Sequence, residues 1–189
     1  NQKATLIMHT NPRDQEGPNL IATMQMLNIE HCVKFSTEIV GFEQMRALYS
    51  MSDVVINTSM NEGFGVPTLE AMNCERPIII PKTGGLGHQC FDYELNKPTG
   101  IGLDPDVRTL TGGQTVPYIY EDLVHTDRFA NALFEMMSLD KNARTELGKN
   151  ARTYATREFS MHRLISSWDE SLRNLVQTWK PQHNVMVIK

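Results

Sequence analysis

Cysteine is scarce in this 189-residue chain: Cys32, Cys74 and Cys90 are an odd set of three in no C-x-x-C spacing. That excludes a disulfide-stapled secreted scaffold and a thiolate zinc knuckle, and predicts reduced, mostly buried thiols in a cytoplasmic protein. No apolar run approaches the roughly 20 residues of a membrane span, and no signal peptide is visible. Membrane contact is therefore not indicated. Positive charge is also short, with Lys+Arg 18 against Asp+Glu 22 and a net charge of -4. Such a chain has no basic field to attract nucleic acid or anionic lipid, so any nucleotide it handles must be met by local dipoles. The six histidines are scattered, with no H-E-x-x-H or other metal-ligand cluster. Internal repeats and low-complexity segments are likewise missing.

What is present is an alternation. With 40% hydrophobic and 21% charged residues, the chain has the make-up of one ordinary globular domain. Short apolar runs at residues 4–9, 32–36 ("CVKFS"), 53–57 ("DVVIN") and 77–81 ("PIIIP") read as strands. Helical spacing appears at residues 19–29, 42–51 and from Pro67, and "GGLGHQCFD" reads as a turn running into a helix. Methionines such as Met24, Met45, Met136 and Met137 fall at helical core spacing and need no cofactor. Buried strands alternating with helices predict an α/β fold: a Rossmann-like, doubly wound parallel sheet with helices on both faces. The rhythm changes after Gly102. Residues 104–121 contain two prolines and the Gly112-Gly113 pair and read as a long loop or insertion. Helices are expected at 127–138, 141–158 and 161–178. This divides the chain into a nucleotide-binding domain over 1–160 and a C-terminal helix and tail over 161–189. Because strand character begins almost at the first residue, an excised domain lacking its upstream part is expected.

The stretch "NEGFGVPTLEAM", residues 61–72, holds two carboxylates, Glu62 and Glu70. Gly63, Gly65 and Pro67 forbid one continuous helix through both, and proline suits the first helical position. Glu62 is then placed in the loop that closes a parallel strand, and Glu70 in the first turn of the next helix. Doubly wound sheets bind ligands in this crevice. Free amides of Gly65, Val66 and Thr68 at a helix N-terminus suit an anion, and the glycines allow close backbone approach. Glu70 can accept hydrogen bonds from ribose, and Glu62 can face whatever hangs from the phosphates. The spacing equally fits a Glu70 that only complements the helix dipole and a solvated Glu62.

"SMNEGFGVPTLEAM" resembles the signature of family-4 retaining glycosyltransferases of the GT-B fold, a glutamate followed after seven residues by a second. "FEQMRALYSMSDVVINTS", "PIIIPKTGG" and "ARTELGKNARTYATREFSMHRLISSW" resemble neighbouring stretches of that family. The resemblance implies the C-terminal, donor-binding half of a GT-B enzyme that moves a hexose from a nucleotide diphosphate sugar, GDP-mannose preferred over UDP-glucose. By the same resemblance Glu70 binds ribose and Glu62 is the catalytic carboxylate, holding the transferred sugar beside Gly63, Phe64 and Gly65. The Val66 and Thr68 amides meet the diphosphate, Pro67 between them belongs to the same donor site, and the segment near Ile39 lines the base. No residue is an obvious nucleophile, since the leaving diphosphate itself assists attack in this family. No metal is required.

Departures accompany the match. The family's diphosphate-binding Arg and Lys, and its N-terminal acceptor domain, are absent from this chain, so the isolated fragment is expected to be inactive. Glu75 stands where the family has a helix-ending glycine, and Leu86, Gly87 and His88 follow the Gly-Gly turn where a glutamate is usual. Lys82 reads as a solvated loop lysine more readily than as a phosphate ligand. "DPD", Asp104 to Asp106, imitates a metal-binding D-x-D but opens a turn-rich loop. Two other functions fit the fold: a non-catalytic nucleotide-sugar-binding module and a GT-B nucleotide-sugar epimerase.

Overall fold

The computed structural model, which describes residues 4–15 and 17–180, has an α/β architecture in two units, residues 1–44 and 45–189. In the first unit, β1 (Leu6–His9), α1 (Leu20–Leu27) and β2 (Val33–Ser36) follow one another. The two strands pair in parallel with Leu6 opposite Val33. Asn19 caps α1 by accepting from the Ala22 N–H, and Asn28 ends it in the left-handed region at φ 54, a conformation asparagine tolerates. Helix α2 (Phe42–Met51) runs from this unit into the next.

The second unit continues with β3 (Val55–Ile56), α3 (Val66–Asn73), β4 (Ile78–Pro81), β5 (Phe91–Asp92), β6 (Lys97–Pro98) and β7 (Gly100–Leu103). It closes with β8 (Val107–Thr111), β9 (Ile119–Leu123), α4 (Thr126–Ser138), α5 (Lys141–Glu158) and α6 (Met161–Thr178). Strands β3, β4 and β7 form a parallel sheet in that order. Successive side chains of a strand point to opposite faces, and β4 is apolar on both. Ile78 and Ile80 pack with Met72 of α3 and with Ala151 and Tyr154 of α5. Ile79 joins Leu103 of β7 and Ala132 and Met136 of α4. A strand covered twice in this way is the parallel sheet with helices on both sides that the alternating pattern predicts. Of the three thiols, Cys90 is buried while Cys32 and Cys74 are half-buried.

Helix α3 ends in a Schellman turn: Arg76 N–H donates to Ala71 and Glu75 N–H to Met72. Its left-handed residue is Glu75, at φ 57, where a β-carbon costs about 1 kcal/mol relative to glycine. The Glu75 side chain pairs with Arg152 at 3.0 Å on partly exposed ground, worth at most about 1 kcal/mol. Glu75→Gly is therefore expected to stabilise the chain by a few tenths of a kcal/mol at high salt, where the ion pair is screened, and less at low salt. Denaturant melts at two ionic strengths check this.

Two expectations need correction. "GGLGHQCFD" does not enter a helix but forms a single 3₁₀ turn, Gly84–His88, followed by β5. Three glycines weaken helix propagation there, and Phe91 and Asp92 instead pair with Pro98 and Lys97. Residues 104–121 are not a long loop either. Strands β8 and β9 form an antiparallel hairpin from Val107 opposite Leu123 to Thr111 opposite Ile119. The Gly112-Gly113 pair and Pro117 lie in the connection between the strands and mark a turn, while the β-branched residues on either side carry the ladder.

Helix α6 carries Leu164, Trp168, Leu172 and Leu175 at helical spacing, each more than half exposed. Ser160 caps it by accepting from the Arg163 N–H. No helix among the described residues is long and apolar enough to cross a membrane.

Candidate functional site

The motif loop leaves β3 and ends at Gly65, which caps α3 at φ 87, a region closed to most side chains. A β-carbon at Gly65 would also overlap the Leu86 side chain. The helix begins at Val66, so Pro67 occupies the second helical position and Glu70 the fifth, and no acidic residue lies in the first turn. This corrects the placement of Glu70. It sits beyond the turn where the dipole is felt, so complementing the dipole is not what it does.

Backbone packs directly on backbone beneath the loop. The Gly85 N–H donates to the Glu62 carbonyl at 3.2 Å, and Gly84, at φ 48, lies so close that a methyl group would overlap that same oxygen. The buried Gln89 side chain sits under the next residues. Its Nε2 donates to the carbonyls of Phe64 at 2.6 Å and Gly65 at 3.2 Å. Its Oε1 lies 2.6 Å from the Thr68 hydroxyl, which is also 2.7 Å from the Gly65 carbonyl. Thr68 has no exposed surface, so its side chain braces the loop, and its amide lies below the surface. The anion contact expected of Thr68 is thus withheld in this conformation. Val66, 55% exposed, presents its residue to solvent. The Phe64 ring packs edge-on against Phe159 at 5.6 Å, and Phe159 against Tyr154 at 5.4 Å.

The two glutamates differ in surroundings. Glu70 is half-buried and accepts a hydrogen bond from the Tyr49 hydroxyl at 3.0 Å. Burial, and next the bond to Glu70, push the Tyr49 phenol above its ordinary value. At neutral pH it therefore remains protonated and can only strengthen its role as donor. One carboxylate oxygen is held and the other stays available. Glu62 is half-buried too. Ile39 belongs to the first unit, where it is fully exposed.

The β8–β9 hairpin also meets this loop. Asp122 N–H donates to the Met60 carbonyl at 2.7 Å, and Asn61 Nδ2 donates to the Tyr120 carbonyl at 3.2 Å. The Asp122 carboxylate, 5% exposed in its residue, binds Arg108 through two bonds of 2.6 and 2.9 Å. It also accepts from the Thr83 hydroxyl at 2.9 Å. The Arg108 bond holds the Asp122 carboxyl below the usual carboxylate range. Sequence reading missed Asp122, Gln89 and Tyr49. A buried glutamine after a Gly-Gly turn was the one visible signal, and its partners were not.

Lys82 is not a free loop lysine: its Nζ pairs with Asp104 at 3.0 Å. Asp106 pairs with Arg128 at 3.0 Å and accepts from the His125 N–H at 2.8 Å. The two carboxylates of "DPD" are thus each engaged by a cation. Among the described residues no three His, Cys, Asp or Glu side chains are grouped to hold a metal.

A parallel three-stranded sheet with helices on both sides, and a glycine-rich loop leading into a helix at its edge, is a Rossmann-like arrangement of the kind found in GT-B folds. Residues 15–108 match the family Glycosyl transferases group 1. A D-inositol 3-phosphate glycosyltransferase of Corynebacterium jeikeium is 35% identical over 51% of this chain and 27% of its own length. One from Salinispora arenicola is 27% identical over 87% of this chain and 31% of its own length. The chain thus spans about three-tenths of these relatives. The C-terminal domain of the group 1 glycosyl transferase LpcC from Francisella tularensis superposes with a TM-score of 0.60 at 21% identity, over 83% of this chain and 70% of that one. Anabaena HepE in complex with UDP-glucose gives 0.65 at 22% identity, over 90% of this chain and 41% of that one.

Proposed function

We propose that this chain is the donor-binding half of a retaining glycosyltransferase that transfers a hexose from a nucleotide diphosphate sugar. The observation that carries the reading is the placement of Glu62 and Glu70 on either side of the exposed start of α3. A half-buried carboxylate oriented by Tyr49 suits a vicinal diol such as ribose. A second carboxylate, on the loop, suits the hydroxyls of a hexose. Between them the helix start offers N–H donors and a partial positive charge to a diphosphate. Catalysis by such a site consists of holding the sugar and stabilising charge on the leaving diphosphate.

The UDP-glucose complex of a similar structure supports a nucleotide-sugar donor and makes a uridine sugar the first to test beside GDP-mannose. The short span relative to the relatives, together with the uncovered apolar face of α6, supports a further domain that holds the acceptor in the complete protein. The test is calorimetric titration of the chain with UDP-glucose, GDP-mannose and the free nucleoside diphosphates, followed by an assay of transfer to simple acceptors. Binding of a sugar conjugate without transfer is the expected result. No binding of any nucleotide sugar at millimolar concentration would refute the reading.

Donor binding is expected to be unchanged by EDTA. Amides and a helix terminus suffice for the anion, and Asp104 and Asp106 are engaged by Lys82 and Arg128. Titrations with and without chelator decide it; a large loss of affinity on chelation would show that a cation is part of the site.

A further inference from the structure

We propose that Gln89, which lies outside the motif, is the positioning residue that turns two neighbouring peptide groups of the motif loop so that the Gly65 and Val66 amides face outward as a pair. In a trans peptide the C=O of one residue and the N–H of the next lie in one rigid plane and point in opposite directions, and none of the described peptide bonds is cis. Fixing the direction of a carbonyl therefore fixes the direction of the following amide. Gln89 Nε2 draws the Phe64 carbonyl inward, and with it sends the Gly65 N–H the other way. The Gly65 carbonyl is held inward by two N–H donors, Gln89 Nε2 and the Leu69 N–H at 3.1 Å, so the Val66 N–H also points away from the core. Among the described residues, neither of these amides donates to any carbonyl or side chain.

Gln89 is suited to this by chemistry. It is wholly buried, so every one of its unpaired polar groups would be costly. Two carbonyls on one side require the NH₂ end there, which turns the oxygen end to the other side, where the Thr68 hydroxyl donates to it. The side chain can thus sit in one orientation only, with Thr68 locking it. An ionised Glu would lack the donors, and an apolar side chain would leave two buried carbonyls unsatisfied, which a rotation of either peptide plane could relieve by turning the amides away. The glycine at 65 is what makes such a rotation easy, and it is the reason a buried clamp is needed.

The proposal deepens the donor reading, since the paired amides are where a diphosphate would rest, but its test does not depend on the nucleotide or the sugar. The probe is inorganic pyrophosphate, added to the ¹⁵N-labelled 189-residue chain and followed by amide resonances. In the unmodified chain the Gly65 and Val66 N–H signals are expected to move together and to saturate. In Gln89→Met, close in volume and without donors, those two shifts should disappear, and affinity for pyrophosphate should fall by about tenfold or more. Thr68→Val, which removes only the lock, should give a smaller loss in the same direction, and serves if Gln89→Met does not fold.

A merely structural role for Gln89 predicts something else: lower melting temperatures with the Gly65 and Val66 shifts retained in the folded variants. That outcome, or pyrophosphate shifting other amides in the unmodified chain, would overturn the inference. Pyrophosphate shifts at Gly65 and Val66 with no binding of any nucleotide sugar would leave it standing and sink the donor reading. Donor binding that survives Gln89→Met unaltered would do the reverse.

Discussion

Gly84→Ala is expected to lower the melting temperature by about 6–12 °C and to remove nucleotide-sugar binding. The backbone of Gly84 is left-handed at φ 48, which costs an alanine about 1–2 kcal/mol. Its new methyl group would also meet the carbonyl oxygen of Glu62, a backbone atom, and overpacking of this kind adds about 1–3 kcal/mol. A combined loss near 3 kcal/mol, at about 2–4 °C per kcal/mol for a chain of this size, gives the quoted shift. The overlap can be relieved only by lifting the 60–65 segment, which would also break the Gly85–Glu62 hydrogen bond. Function should therefore suffer beyond what stability alone explains. Thermal melts and donor titration at a temperature well below the transition separate the two effects. A variant that melts lower but binds normally would show that the loop finds another seat.

Glu70→Ala is expected to weaken binding of the free nucleoside diphosphate by about 10- to 100-fold, whereas Glu62→Ala should leave the free nucleotide unaffected and weaken only the sugar conjugate. A hydrogen bond to a charged group contributes about 1.5–3 kcal/mol, and each 1.4 kcal/mol is about tenfold in affinity. Glu70 is the carboxylate held by Tyr49, so Tyr49→Phe should produce a smaller loss in the same ligand and none in the Glu70→Ala background. Calorimetric titrations of the three single variants and the Tyr49→Phe, Glu70→Ala double variant with nucleoside diphosphate and with nucleotide sugar form the test. Equal losses for both ligands in both glutamate variants would end the division of labour.

The same residues show how far the sequence could be read. Apolar periodicity located β4, α2, α5 and α6 because each buries or presents a face of fixed period. It also gave the placement of Glu62 in the loop, since Gly63, Gly65 and Pro67 forbid anything else. Glu75 drew attention only because it stands where the resembled family has a helix-ending glycine, and the structure holds it left-handed at φ 57. The 107–123 hairpin was not. Its turn residues outweighed its alternating strands, and the ladder partners Thr111 and Ile119 are recognisable as partners only once paired.

By itself, then, the sequence determined the strands and helices as far as β4 and the three closing helices, the glycine-rich loop at the edge of the parallel sheet, and the two carboxylates that flank it. Tertiary structure alone decided what holds them. Tyr49 meets Glu70 across 21 positions of sequence, Gln89 meets Phe64 across 25, and Thr83 meets Asp122 across 39. Periodicity reports which face a residue occupies. A hydrogen bond between distant side chains depends on distances of about 3 Å and on direction, and these exist only after the sheet has brought the chain together.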